Sequence, residues 1–342
     1  MEPLSDDKEF LLRCALTRNW DFLINFCSVI LEVLSTSVRD RDVEYQHQRV
    51  ETARNQLERQ DQWGNTALHA ACYNNPPLRV ITTLLNCASV ANLQNYHVML
   101  TLDEATPLNI ACATGASIDV IRALLNPPAG LCNGAIAVRI SDKRGCTPLS
   151  ELTIYYELQR KTPLYARTSL PLDQVNLMEV NDPLLESLWG KVELLIRSAW
   201  TITSNQHGPW ISIVHGAAAI AESCPTVLTN LICRCYPAMT AFASRKGVLP
   251  LHLAIENSSA NKHKPLYVLE QRRKKFIEHL INLYPSAVRQ PSPTRRSVFC
   301  QAIASSLRWH LPQGHECIHN GDDVGPLQCL LRQDPGAFSI AD

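Results

Sequence analysis

One six-residue pattern returns along this chain and limits what it can fold into. Thr66-Ala-Leu-His-Ala-Ala71, Thr106-Pro-Leu-Asn-Ile-Ala111, Thr147-Pro-Leu-Ser-Glu-Leu152 and Leu249-Pro-Leu-His-Leu-Ala254 are its clearest copies. Ser212-Ile-Val-His-Gly-Ala217 and Ser297-Val-Phe-Cys-Gln-Ala302 are weaker ones. Successive starts lie 40, 41, 65, 37 and 48 residues apart. A period of that size is a helix pair with insertions, the mark of stacked units rather than one globular core. The 342 residues also exceed what a single core usually takes.

Each slot of the pattern has a physical reason to begin a helix. Threonine or serine caps the open amide groups, and proline suits the first turn, where its missing N–H has no partner to lose. Leucine then faces the core, and the alanines keep the helix thin enough for a close neighbour. Ahead of three copies stand Asp61-Gln-Trp-Gly64, Asp142-Lys-Arg-Gly145 and Ser244-Arg-Lys-Gly247, turns whose glycine accepts positive φ. Behind each copy an apolar pattern at three- and four-residue steps predicts a second helix: 78–85, 118–125, 188–199, 226–235, 276–283 and 327–331. Proline marks four of these starts (Pro77, Pro183, Pro225, Pro326) and closes three ends, at Tyr236-Pro-Ala238, Tyr284-Pro-Ser-Ala287 and Asp334-Pro-Gly-Ala337.

The order of turn, Thr-Pro-Leu-His-like helix start and second helix resembles the ankyrin repeat family, most closely at Asp61 to Ala71. The resemblance implies an all-α fold, an ankyrin-type helix-turn-helix repeat solenoid of about six repeats over residues 61–342. Long inserts are expected near 157–185, 257–275 and 303–325. Residues 1–60 are expected to form an N-terminal helical cap, from amphipathic stretches at 7–17 and 21–34, followed by a charged, solvated helix within 39–60. The copies differ: Glu104 stands in the second copy where the first, third and fifth have the turn glycine, and the histidine of the pattern is absent from the second, third and last copies. In the family that histidine hydrogen-bonds within and between repeats, which implies a structural role for His69, His215 and His252.

Composition narrows the function classes. Lysine plus arginine equals aspartate plus glutamate at 32 each, so no global field draws the chain to nucleic acid or an anionic membrane. The 13 cysteines contain no Cys-x-x-Cys pair, and several sit beside alanine in helix-like runs, as at Cys14, Cys72 and Cys112. They read as buried thiols in a reducing compartment, hence an intracellular protein, cytoplasmic or nuclear. The start of the chain is acidic rather than signal-like, and the most apolar stretch, 20–34, is too interrupted to span a bilayer.

Chemistry-bearing motifs are few. No phosphate loop, paired-glycine dinucleotide turn, His-Glu-x-x-His or Gly-x-Ser-x-Gly occurs, so no enzyme and no cofactor is expected. His310, His315, Cys317 and His319 offer four donors in ten residues, but their spacing matches no zinc pattern. Cys233 and Cys235 face different directions on one helix. Arg272-Arg-Lys-Lys275 reads as the solvated start of a helix, without the interleaved aromatics that stack bases.

What the resemblance implies instead is a non-enzymatic scaffold or adaptor binding a partner protein through the concave face and turn tips. The tip residues are Gln62, Trp63 and Asn65 in the first repeat, Lys143 and Arg144 in the third, and Arg245 and Lys246 in the fifth. Trp63 is the expected anchor. The basic later tips, with Arg295 and Arg296, suggest an acidic surface on the partner. The alternative is a substrate-targeting subunit of a larger complex such as a ubiquitin ligase.

Overall fold

The computed structural model describes residues 9–35, 43–160, 183–207, 212–244, 246–256 and 266–290. Every regular element among them is helical. In chain order they are α1 (Phe10–Leu16), α2 (Trp20–Ser35), α3 (Val43–Glu58), α4 (Ala67–Tyr73), α5 (Leu78–Val90), α6 (Pro107–Ala113), α7 (Ile118–Leu125) and α8 (Pro148–Arg160). Then come α9 (Pro183–His207), α10 (Ile213–Ala219), α11 (Thr226–Cys235), α12 (Pro237–Thr240), α13 (Pro250–Glu256) and α14 (Leu266–Leu283). Two compact units result: the first holds the described residues up to 160 with Pro183–Ser198, the second those from Ala199 onward.

Five of the six pattern copies lie in the described residues, and each opens a short helix: α4, α6, α8, α10 and α13. The sixth copy, the helix expected at 327–331 and the insert at 303–325 lie outside them. The leucine of the pattern is buried at Leu68, Leu108, Leu149 and Leu251, as its slot requires. Leu251→Ala in the second unit therefore lowers stability by about 2–5 kcal/mol, measured by chemical denaturation.

In the first unit, first helices stack on first helices and second on second: α4 on α6, α6 on α8, and α5 on α7. The stack begins before the first pattern copy, because α1 packs on α4 and α2 on α5. The register is repeat-like in detail. Asn74 donates its side-chain N–H to the Ala15 carbonyl at 3.1 Å, and Thr114 donates its hydroxyl to the Cys72 carbonyl at 3.0 Å. Arg18, Asn75 and Gly115, at φ 58°, 51° and 73°, take the same left-handed step after α1, α4 and α6. The α1–α2 pair is thus placed as a repeat would be, without the hexapeptide.

Several helices depart from the sequence-based expectation. The charged helix α3 is not simply solvated: Ala53, Gln56 and Leu57 are buried, and it packs on α1, α2 and α5. Its polar sequence hid that narrow apolar stripe. α8 runs on to Arg160 and α9 starts at Pro183, so both ends of the expected 157–185 insert are helical. α14 starts at Leu266 rather than 276. Arg272 to Lys275 therefore lies inside a helix rather than at its start, and Arg273 is buried, not solvated.

Of the ten cysteines described, Cys14, Cys27, Cys72, Cys87, Cys112, Cys224 and Cys233 are buried, and none is in a disulfide. Burial pushes the Cys112 thiol up to about 12 and raises Cys72 and Cys224 as well. Thiols so protected are packing residues rather than nucleophiles. No described helix is long and apolar enough to cross a membrane.

Candidate functional site

The turn tips are built by one device used four times. Asp61, Thr101, Asp142 and Ser244 each receive the backbone N–H three residues on, from Gly64, Glu104, Gly145 and Gly247 at 2.8–3.0 Å. Their side chains close the turn from inside. Asp61 Oδ1 accepts the N–H of Trp63 at 2.9 Å and of Asn65 at 2.8 Å. Asp142 Oδ1 accepts those of Arg144 and Cys146 at 2.9 and 2.8 Å. Ser244 Oγ serves Lys246 and Val248 at 3.2 and 3.0 Å. Short side chains that bond to the backbone just ahead are what such turns select.

Neighbouring tips in the first unit are joined edge to edge. The Leu102 N–H donates to the Trp63 carbonyl at 2.8 Å, and the Lys143 N–H to the Asp103 carbonyl at 2.9 Å. Gly64 makes the first of these approaches feasible. It sits at φ 80°, and a Cβ there would lie 2.7 Å from the Leu102 nitrogen.

Below the tips, the pattern residues bind one repeat to the next. His69 Nδ1 accepts the Thr66 N–H at 3.1 Å, which leaves its proton on Nε2, 3.0 Å from the Met99 carbonyl. His252 does the same between the Leu249 N–H and the Gln290 carbonyl, at 3.0 and 3.1 Å. His215 Nε2 reaches the Val248 carbonyl at 3.3 Å. These are the contacts the resemblance implies. The second copy achieves them without histidine: Asn109 Oδ1 accepts the Thr106 N–H at 3.2 Å, and Nδ2 donates to the Cys146 carbonyl at 3.0 Å. Asparagine presents an acceptor and a donor as the neutral imidazole does. The sequence comparison counted Asn109 as a gap in the pattern. Burial lowers His69 and His215 to about 4 and lowers His252 as well, which accords with their bridging role between repeats.

The expected partner residues divide into four cases. Gln62 and Trp63 stand free on the first tip, Trp63 with 60% of its surface exposed. Asn65 is turned inward, its Nδ2 donating to Asp61 Oδ2 at 2.9 Å. Lys143 is exposed on the third tip. Arg144 is exposed too, but its guanidinium is held by Asp142 at 2.9 Å and by Glu151 at 2.5 Å. Lys246 is exposed on a tip of the second unit. Arg245, Arg295 and Arg296 lie outside the described residues, as do His310, His315, Cys317 and His319.

The structure adds two residues that sequence reasoning passed over, Leu102 and Asp103 on the second tip. Leu102 is 61% exposed, and its backbone N–H is bonded to the Trp63 carbonyl. Aligning the copies by their hexapeptides would have placed them, since Trp63 and Asp103 fall at the same offset before it.

Asp142, Cys146 and Glu151 bring ligand atoms within 4.8 Å of one another, a set that could hold a metal ion. Here the Arg144 guanidinium already bridges the two carboxylates. Burial raises the Glu151 carboxyl, and the nearby guanidinium opposes that shift. An internal cation in this place makes the cluster a structural brace for the third tip.

Comparison with known proteins agrees with this geometry. Residues 63–96 match the family model described as ankyrin repeat. No curated protein matches the chain. The matched segment contains Trp63, α4 and α5; the turn hydrogen bond recurs ahead of α6, α8 and α13, and a threonine cap at α6 and α8. Residues 63–96 thus resemble an ankyrin repeat, and the all-helical fold of the described residues is consistent with an ankyrin-type helical repeat.

Proposed function

We propose that this protein is a non-enzymatic, intracellular interaction scaffold or adaptor that holds a partner protein on the exposed edge of its repeats. Ankyrin repeats bind other proteins and are typically not catalytic, so the matched repeat supports this class of function. The observation that carries the reading is the pairing through their backbones of Trp63 and Leu102, two large apolar side chains left in water on turns braced by hydrogen bonds within and between tips. Tryptophan on a rigid support is the kind of residue on which binding energy concentrates. The first-helix face offers further area: Leu16, Tyr73, Ala113 and Ile154 occupy equivalent positions on α1, α4, α6 and α8, and all are exposed.

The expected acidic partner surface draws less support from the tips than their composition suggested. Arg144 is neutralised by two carboxylates, and Lys143 stands beside Asp103. That reading leans on Lys246. No observation favours the narrower alternative of a ubiquitin-ligase targeting subunit.

Affinity purification of the whole chain from its native cells, run beside Trp63→Ala and followed by mass spectrometry, tests the proposal. Specific partners should be depleted at least about tenfold by the substitution. Equal recovery with both proteins would mean that the tips are not the binding edge.

A further inference from the structure

The charge on the first three tips points to the chemistry of what binds there. Their charged side chains, with Glu151 just behind, are five carboxylates (Asp61, Asp103, Glu104, Asp142 and Glu151) and two cations (Lys143 and Arg144). Asp61 is met by neutral N–H groups of its own turn. Arg144 bridges Asp142 and Glu151. Asp103 is exposed, one residue from Leu102 and one tip along from Trp63; Lys143 on the next tip stands beside it, and with Glu104 the second tip sets two carboxylates against that one cation. This edge is therefore apolar at Trp63 and Leu102 and net acidic beyond them, although the sequence at the third tip alone reads as basic.

We propose that the tip edge of the first unit docks a segment of a partner that is both basic and apolar. An aliphatic side chain lies between Trp63 and Leu102, and an arginine or lysine reaches Asp103. The proposal rests on the interaction reading above and specifies its partner.

Three physical arguments select this occupant. Apolar burial between two exposed large side chains supplies affinity, while a facing charge of opposite sign supplies selection and speeds encounter. The open indole face of Trp63 also attracts a cation, most strongly a guanidinium, and repels a carboxylate. Spacing then sets a pattern: stacked helices lie about 10 Å apart, and an extended segment advances about 3.3 Å per residue. Anchors that meet neighbouring tips are thus about three residues apart.

The test uses the whole chain and short fluorescein-labelled synthetic peptides, read by fluorescence anisotropy. One peptide carries leucine and arginine alternating at three-residue spacing in a glycine–serine background. A second has glutamate in place of arginine, and a third serine in place of leucine. The leucine–arginine peptide should bind at least about tenfold tighter than either control and weaken as salt is raised. Trp63→Ala should cost that peptide about tenfold, and Asp103→Lys should move the preference toward the leucine–glutamate peptide. Both side chains are exposed, so thermal melts of the variants should match the parent. Tighter, Trp63-dependent binding of the leucine–glutamate peptide would overturn the basic partner while leaving the interaction reading intact. Binding of the leucine–arginine peptide that ignores both Trp63→Ala and Asp103→Lys sinks the proposal, and the purification experiment then decides the broader reading alone.

Discussion

Replacing Glu222 by glutamine should destabilise the second unit by about 3–5 kcal/mol, although the change is nearly isosteric. Glu222 and Arg273 form an ion pair at 3.2 Å with side chains only 5% and 2% exposed, and Arg273 also donates to the Ile255 carbonyl at 3.4 Å. Removing the carboxylate takes from the buried guanidinium the negative charge it faces at 3.2 Å, and an arginine does not shed its proton in compensation. The double substitution Glu222→Leu with Arg273→Met should recover most of the loss, since an apolar pair of similar volume carries no desolvation penalty. Urea denaturation of the three proteins measures both effects. A single substitution costing less than about 1 kcal/mol would show that water reaches the pair.

Acid should unfold this protein earlier than its carboxylates alone would suggest. His69, His97 and His215 are buried, and burial lowers each to about 4 from an ordinary value near 6.5. Their folded forms are neutral, so protonation favours the unfolded chain. Stability is fully present above pH 6.5 and falls as pH drops toward 4, where the loss levels off. Each shift is worth roughly 2 kcal/mol at pH 5 and about 3 kcal/mol at its limit. His69 and His97 belong to the first unit and His215 to the second, so both units should weaken together. Stability measured by denaturant at several pH values between 7 and 4 checks this. His69→Asn is the informative variant, because Asn109 already shows asparagine bridging the Thr106 N–H and the next repeat's carbonyl. It should fold at pH 7 and lose less stability on acidification. An unchanged pH slope would assign the acid sensitivity elsewhere.

The two predictions rest on residues that the sequence displayed very differently. His69 was legible, since its slot follows a capping threonine by three residues and the pattern recurs. Glu222 and Arg273 were not, being 51 positions apart on elements whose packing no periodicity reports. Arg273 even sat within a run that looked solvated, because four adjacent cations on a helix must include one that faces the neighbouring helix.

The tips divide in the same way. Local chemistry placed Gly64, Asp61 and the capping threonines, because turn geometry and helix starts depend on residues within four positions of one another. It put Trp63 on a tip, and the structure leaves that side chain exposed. The pairing of Trp63 with Leu102 depends on a backbone bond between residues 39 positions apart in sequence, and Arg144 is neutralised partly by Glu151 on the following helix. Counting charges along the chain gave the third tip a positive sign that folding removes.

The sequence by itself determined that helix pairs repeat, where most of them begin, and which leucines and histidines point inward. Those are local facts, written in caps, turns and a period of about forty residues. Only the tertiary structure decided that the expected cap helices α1 and α2 stack in the register of a repeat pair, that Asn109 replaces a histidine, and that the first three tips present an apolar and acidic edge. Stacking brings side chains from different repeats into contact, and a contact between repeats leaves no periodic trace in either one.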